Sequence, residues 1–139
     1  MSAEVLLDTN GWIALLNAGE SLHLEAARLW RELLTSQRNF VVSDWVIAET
    51  GNGLARSKKA HAFPDAVKRL LTSTRAEIVF VDLALMQEAI DYYAAHDDKT
   101  WGLVDCVSFL LMERRGINDA FTSDRHFQQA GFHPLLATS

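Results

Sequence analysis

A chain of 139 residues, 49% hydrophobic and 22% charged, is the size and composition of one ordinary globular domain, taken as residues 1–139. Its formal charge of −5 argues against a broad electrostatic grip on nucleic acid, but not against a small site where a bound cation cancels local negative charge. The single cysteine, Cys106, excludes an internal disulfide, and its apolar neighbours read as the surroundings of a buried, inert thiol in a reducing compartment.

Strands and helices alternate along the chain. Glu4 to Leu7 reads as a short buried strand with no basic segment before it, so no signal peptide is expected. Asp8-Thr9-Asn10 is suited to cap a helix running to about Asn17. From about Leu22 to Ser36, Leu22, Ala26, Leu29, Trp30, Leu33 and Leu34 share one helical face. Phe40-Val41-Val42 reads as a strand, after which Ser43 caps a helix from near Asp44. Gly51 and Gly53 within that helix weaken it or permit close packing. Ala62 to Ser73 is the next helix, with Pro64 in its first turn. A strand over Glu77 to Val81, a helix over Leu83 to His96 and a helix over Leu103 to Arg115 follow, the last stopped by Gly116. Ala120 to Thr122 reads as a strand, Arg125 to Ala130 as a short helix, and His133 to Leu136 as an edge strand. Strands separated by helices imply a parallel sheet covered on both faces, an α/β fold in three layers. No apolar stretch is long enough to span a bilayer, so a cytoplasmic protein without membrane contact is expected.

Acidic residues stand in apolar surroundings at four places. Asp8 ends Val5-Leu6-Leu7, Glu49 follows Trp45-Val46-Ile47-Ala48, Asp105 interrupts Leu103-Val104-Asp105-Cys106-Val107, and Asp124 follows Ala120-Phe121-Thr122-Ser123. A carboxylate there is costly unless it is paired, hydrogen-bonded or bound to metal. Asp8 and Asp124 lie just past predicted strand ends, where open α/β sheets bind ligands. Asp105 sits in the first turns of its helix, where negative charge is favoured. Glu49 has Asn52 three residues on, on the same side. Carboxylates that converge without cationic partners are suited to a hard divalent ion.

Each also has a plainer reading. Asp8 and Asp124 can be helix caps, Glu49 a solvated helix residue, and Asp105 a partner of Lys99. His126 and Phe127 read as packing and local hydrogen bonding, and the stripe of Trp101, Phe109 and Met112 as core. His23, His61, His96 and His133 lack ligand spacing with one another. Arg56, Lys58 and Lys59 are either solvated or positioned to hold a nucleic-acid backbone.

The chain resembles the PIN-domain nucleases, and within them the bacterial VapC-type toxin ribonucleases. The resemblance rests on Leu7-Asp8-Thr9-Asn10, on Ala48-Glu49-Thr50 with Asn52, on the run from Lys99 to Phe109, and on Thr122-Ser123-Asp124-Arg125-His126-Phe127 with Ala130-Gly131-Phe132. It covers nearly the whole chain in order, and the stretches around Asp105 and Asp124 carry most of its specificity. It implies a three-layer α/β/α fold whose central parallel sheet has four to five strands, the first and fourth central and adjacent. It implies that Asp8, Glu49, Asp105 and Asp124 meet at one end of the sheet, with Asp8, Asp105 and Asp124 as ligands of Mg²⁺ or Mn²⁺. Thr9, Asn10, Asn52 and Thr122 would support them, with Asn10 standing where many relatives carry Ser. Implied too are hydrolysis of RNA phosphodiesters, a cognate antitoxin protein and a homodimer. Two other functions stand as alternatives: a PIN-fold RNA-processing nuclease outside a toxin–antitoxin pair, and a doubly wound phosphoacceptor domain using Asp82. The latter lacks the expected lysine after a late strand and leaves Asp105 unexplained.

Overall fold

The computed structural model describes residues 3–137, and the expected order of elements is present. It runs β1 (Glu4–Leu7), α1 (Thr9–Leu16), α2 (His23–Thr35), β2 (Asn39–Ser43), α3 (Asp44–Ala55), α4 (Ala62–Thr72) and β3 (Ala76–Val79). Then come α5 (Leu83–Ala95), α6 (Leu103–Arg115), β4 (Asp119–Phe121), α7 (Arg125–Gln129) and β5 (His133–Pro134). The five strands form one parallel sheet in the order β3-β2-β1-β4-β5. β1 pairs with β4 as expected, and β5 is an edge strand.

This order determines which face each helix covers. Right-handed crossovers from β1 to β2 and from β2 to β3 run in one direction and put α1–α4 on one face. The crossover from β3 back to β4 reverses direction and puts α5 and α6 on the other. Alternation along the strands follows. Val5, Leu7, Phe40, Val42 and Phe121 pack with Trp12, Ala26, Leu33 and Leu70 from the first helical layer. Leu6, Val41 and Ala120 pack with Leu85, Cys106, Phe109, Met112 and Phe127 from the second. Cys106 is buried and unpaired, and its surroundings push its thiol up to about 11 by desolvation, so it is inert.

The punctuation behaves as its chemistry requires. The Ser43 hydroxyl accepts from the Val46 amide at 3.2 Å, and Gly116 ends α6 in the left-handed region with φ of 65°. Several strand boundaries differ from the expected ones, among them the end of β5, which falls at Pro134 and not Leu136. β3 ends at Val79, because the Val81 amide turns to the Asp44 carboxylate at 2.8 Å. β4 ends at Phe121, because the Thr122 amide bonds back to the Ala120 carbonyl at 3.0 Å and takes Thr122 out of the ladder. No described helix is long and apolar enough to cross a membrane.

The amino end of the sheet is neutralised by arginines. Arg115 binds Glu4 at 2.7 Å and Glu77 at 2.9 Å, and Arg38 binds Asp119 at 2.8 Å. Glu77 is held below the usual carboxylate range by the Arg115 hydrogen bonds. Burial would raise Asp119, but hydrogen bonds from Arg38 and His133 outweigh it and hold this carboxyl low.

Candidate active site

The carboxyl end of the sheet is built differently. Strand order reverses between β1 and β4, which opens a crevice beyond their ends. Asp8 is the residue after β1 and is only 4% exposed. It occupies the cap position of α1, yet its side chain makes no capping hydrogen bond. Its Oδ2 accepts instead from the buried Thr122 hydroxyl at 2.8 Å. The same hydroxyl oxygen accepts from the Asp124 amide at 3.0 Å, so Thr122 ties the residue after β1 to the loop after β4. Asn10 adds a second tie: its Oδ1 accepts from the Ser123 amide at 2.8 Å and the Ser123 hydroxyl at 3.0 Å. Gly11 permits this approach. A Cβ there would stand 2.0 Å from the Phe121 carbonyl oxygen, which is backbone and has no rotamer to yield.

Asp105 arrives from the opposite helical layer. As the third residue of α6, it accepts from the Gly102 amide at 3.2 Å, a capping-box contact that fixes the carboxylate at the helix start. The same oxygen, Oδ2, lies 3.1 Å from His126 Nδ1. Asp124 caps α7, its Oδ1 accepting from the His126 amide at 2.9 Å. Oδ1 of Asp105 and Oδ2 of Asp124 accept no hydrogen bond from a described residue. Asp105, Asp124 and His126 each offer a ligand atom, all within 4.8 Å of one another. A polar recess of about 300 Å³ adjoins them, lined in part by Asn10, Thr100, Asp124 and Arg125.

The electrostatics are the inverse of those at the amino end. No lysine or arginine pairs with Asp8, Asp105 or Asp124 among the described residues. Burial raises Asp8, with repulsion from Asp105 and then Asp124 adding to it, against the opposing Thr122 hydrogen bond; the result is a carboxyl at about 7. Burial raises Asp105 as well, the His126 hydrogen bond opposing it and Asp124 adding to it.

The remaining expected residues are placed less tightly. Glu49 is exposed and unpaired on α3, one turn before Gly53. Gly53 faces Ile13 of α1 so closely that a Cβ would lie 2.7 Å from its methyl, so Glu49 lies on the side of α3 that packs against α1. The Gly51–Gly53 pair therefore serves close packing, with Gly51 against the Phe63 ring. Asn52 is exposed and bonds to none of the carboxylates. The Thr9 hydroxyl is buried without a partner, and Thr9 assists Asp8 through its backbone amide. Lys99 pairs with Asp98 at 3.7 Å, not with Asp105. Asp82 caps α5 by accepting from the Leu85 amide at 2.8 Å, and it follows the edge strand β3, not a central one. The phosphoacceptor reading fails on both counts. The residue that sequence reasoning missed is His126. Its spacing of two from Asp124 hinted at a shared cap, but nothing in the sequence joined it to Asp105.

The donor set suits a hard divalent cation. Carboxylate oxygens without cationic partners, two of them free, are what Mg²⁺ and Mn²⁺ take from a protein, and the raised carboxyls are groups such an ion would relieve.

Comparisons with known proteins show the family and the fold. The PIN domain family model matches residues 5–133. VapC20 of Mycobacterium tuberculosis, named a 23S rRNA-specific endonuclease, is 35% identical over 130 residues, covering 92% of this chain and 95% of the relative. Its crystal structure, described as that of a Sarcin-Ricin loop cleaving toxin, matches with a TM-score of 0.85 at 32% identity, over 95% of this chain and 98% of that one. The structure of FitAcB from Neisseria gonorrhoeae matches with a TM-score of 0.62 over 94% of this chain and 95% of its own, and at 20% identity shows the fold alone.

Proposed function

This chain belongs to the PIN domain family, and from that membership and the carboxylate crevice we propose that it is a metal-dependent endoribonuclease, the toxin of a toxin–antitoxin pair. The observation that carries the reading is the contrast between the two ends of the sheet. Glu77 and Asp119 at the amino end are matched by arginines and lowered, whereas Asp8 and Asp105 at the carboxyl end have no lysine or arginine partner among the described residues and are raised.

Asp8, Asp105 and Asp124 hold Mg²⁺ or Mn²⁺ in this reading. Such an ion supplies Lewis-acid chemistry, that is, positive charge beside a phosphodiester and acidification of water. The chain's own residues do the rest. Thr122, Asn10 and Ser123 fix the loop after β4 against the start of α1, so Asp8 and Asp124 keep their separation. Glu49, exposed on α3, takes the proton of the attacking water in this reading. Asn52, on the same side of α3, keeps a polar surface toward substrate. The substrate named for VapC20 makes 23S ribosomal RNA the first to assay. An antitoxin segment carrying Arg or Lys would neutralise the same carboxylates, and toxin chains would associate as a symmetric homodimer.

Incubation of ribosomal RNA with the purified protein, with Mn²⁺ or with chelator, tests the nuclease reading. Cleavage should need the ion and fall at least a hundredfold in Asp105→Asn. Full activity in that variant, or in chelator, refutes it. Co-expression with the adjacent gene, followed by mass measurement, tests the partners, and recovery of free monomer alone counts against them.

A further inference from the structure

His126 is not used in the chemistry above, yet its contacts join the elements that carry two of the carboxylates. Nδ1 lies 3.1 Å from Asp105 Oδ2 and 3.5 Å from Asp124 Oδ1, and the backbone amide donates to Asp124 Oδ1 at 2.9 Å. At the far side of the ring, Nε2 lies 3.2 Å from the Thr100 hydroxyl oxygen. These contacts constrain one another. An ionised carboxylate only accepts, so the proton shared with Asp105 belongs to Nδ1. In the neutral ring Nε2 then has a lone pair, which accepts from the Thr100 hydroxyl.

The surroundings make the ring a fixed strut. Phe127, the next residue, is fully buried in the core. Trp101 Nε1 donates to Gln129 Oε1 at 3.0 Å, a second tie between the loop before α6 and α7. At Asp105, Oδ2 is engaged by Gly102 and His126, and Oδ1 is left open. At Asp124, Oδ1 is engaged by the His126 amide, and Oδ2 is left open. The engaged oxygens orient the open ones. Both ring nitrogens already have protein partners, which favours orientation of the ligands over direct ligation by the ring.

We propose that His126 is a positioning residue, whose ring holds Asp105 against Asp124 so that their open oxygens face one divalent cation, with Thr100 holding the ring in the Nδ1–H form. This inference rests on the metal reading of the site. Partners of this kind orient ligands, and their loss costs about ten- to a hundredfold in metal affinity.

The test measures Mn²⁺ affinity by electron paramagnetic resonance and calorimetry in wild type, His126→Ala and His126→Asn, with thermal melts as a check on folding. His126→Ala should bind Mn²⁺ about ten- to a hundredfold more weakly. His126→Asn, which keeps an N–H donor near the place of Nδ1, should recover most of that loss. In the metal-free wild type, ¹⁵N resonances should show a proton on the His126 Nδ1. Equal affinity in wild type and His126→Ala overturns this inference alone, as does an Nδ1 without a proton or an Asn variant as weak as Ala. A strong directly bound ¹⁴N coupling to Mn²⁺ that vanishes in His126→Ala also overturns it, by making the ring a ligand. A wild type that does not bind Mn²⁺ overturns the proposed function with it.

Discussion

Replacing Asp8 by Asn should stabilise the metal-free protein at alkaline pH while removing metal binding. The magnitude follows from the structure. Asp8 is only 4% exposed, and burial with repulsion from Asp105 and Asp124 moves it from 3.8 to about 7. A gap of about 3 in pKa, at about 1.4 kcal/mol for each unit, puts the ionised form at a disadvantage of about 4 kcal/mol in the native state. Asn removes the charge but weakens the hydrogen bond from Thr122, at a cost of about 1 kcal/mol. The net gain at pH 8 is about 3 kcal/mol, or about 10 °C in melting temperature for a chain of this length.

The pH dependence identifies the cause. The folded-state pKa of Asp8 lies above the unfolded one, so its proton-linked stability is fully present below about 3.8 and is lost as pH rises through about 7. The advantage of Asp8→Asn should therefore shrink to under half at pH 5. Mn²⁺ should raise the wild-type melting temperature with concentration and leave the variant unmoved. Urea and thermal melts in chelator at pH 5 and pH 8, then with Mn²⁺, measure all of this. A variant that melts lower than wild type at pH 8 in chelator refutes the reasoning, because it would mean that Asp8 was matched by a cation.

Glu49→Gln should lower the rate of RNA cleavage at least tenfold while shifting the melting temperature by less than about 1 °C, since the side chain is exposed and unpaired; single-turnover kinetics and a thermal melt check this. Gly11→Ala should cost about 3 kcal/mol in urea denaturation, because its methyl would meet the Phe121 carbonyl and push α1 off the end of β4. Ser108→Ala should stabilise the protein by about 1 kcal/mol in the same assay, since the buried Ser108 hydroxyl has no hydrogen-bond partner and its removal ends a desolvation cost.

The fold was legible in the sequence because its signals are local. Leu6 faces one helical layer while Val5 and Leu7 face the other, and the Val41 and Val42 neighbours divide in the same way. Runs apolar on both faces imply a covered parallel sheet before any pairing is known. Ser43 and Gly116 mark the start of α3 and the end of α6 by their own chemistry. A boundary set by a distant partner is not legible in this way: β3 stops where Asp44 takes the Val81 amide.

The candidate site divides along the same line. Asp8, Asp105 and Asp124 stood out because a carboxylate beside buried aliphatic residues is costly wherever the chain goes next. What they meet was hidden, because it depends on tertiary approach. Thr122 reaches Asp8 only because β4 lies beside β1 and Gly11 lets the two ends close. His126 reads as an ordinary first-turn residue of a short helix until α6 and α7 are placed together. Glu49 is the reverse case. Its sequence context marks it, and the folded chain leaves it exposed with no bond to fix it. In the proposed reaction Glu49 accepts a proton from water and has to remain reachable by it, so its openness fits that task as burial fits the ligand role proposed for Asp8. Burial holds a ligand in place, and exposure leaves a base free to exchange the proton it has taken.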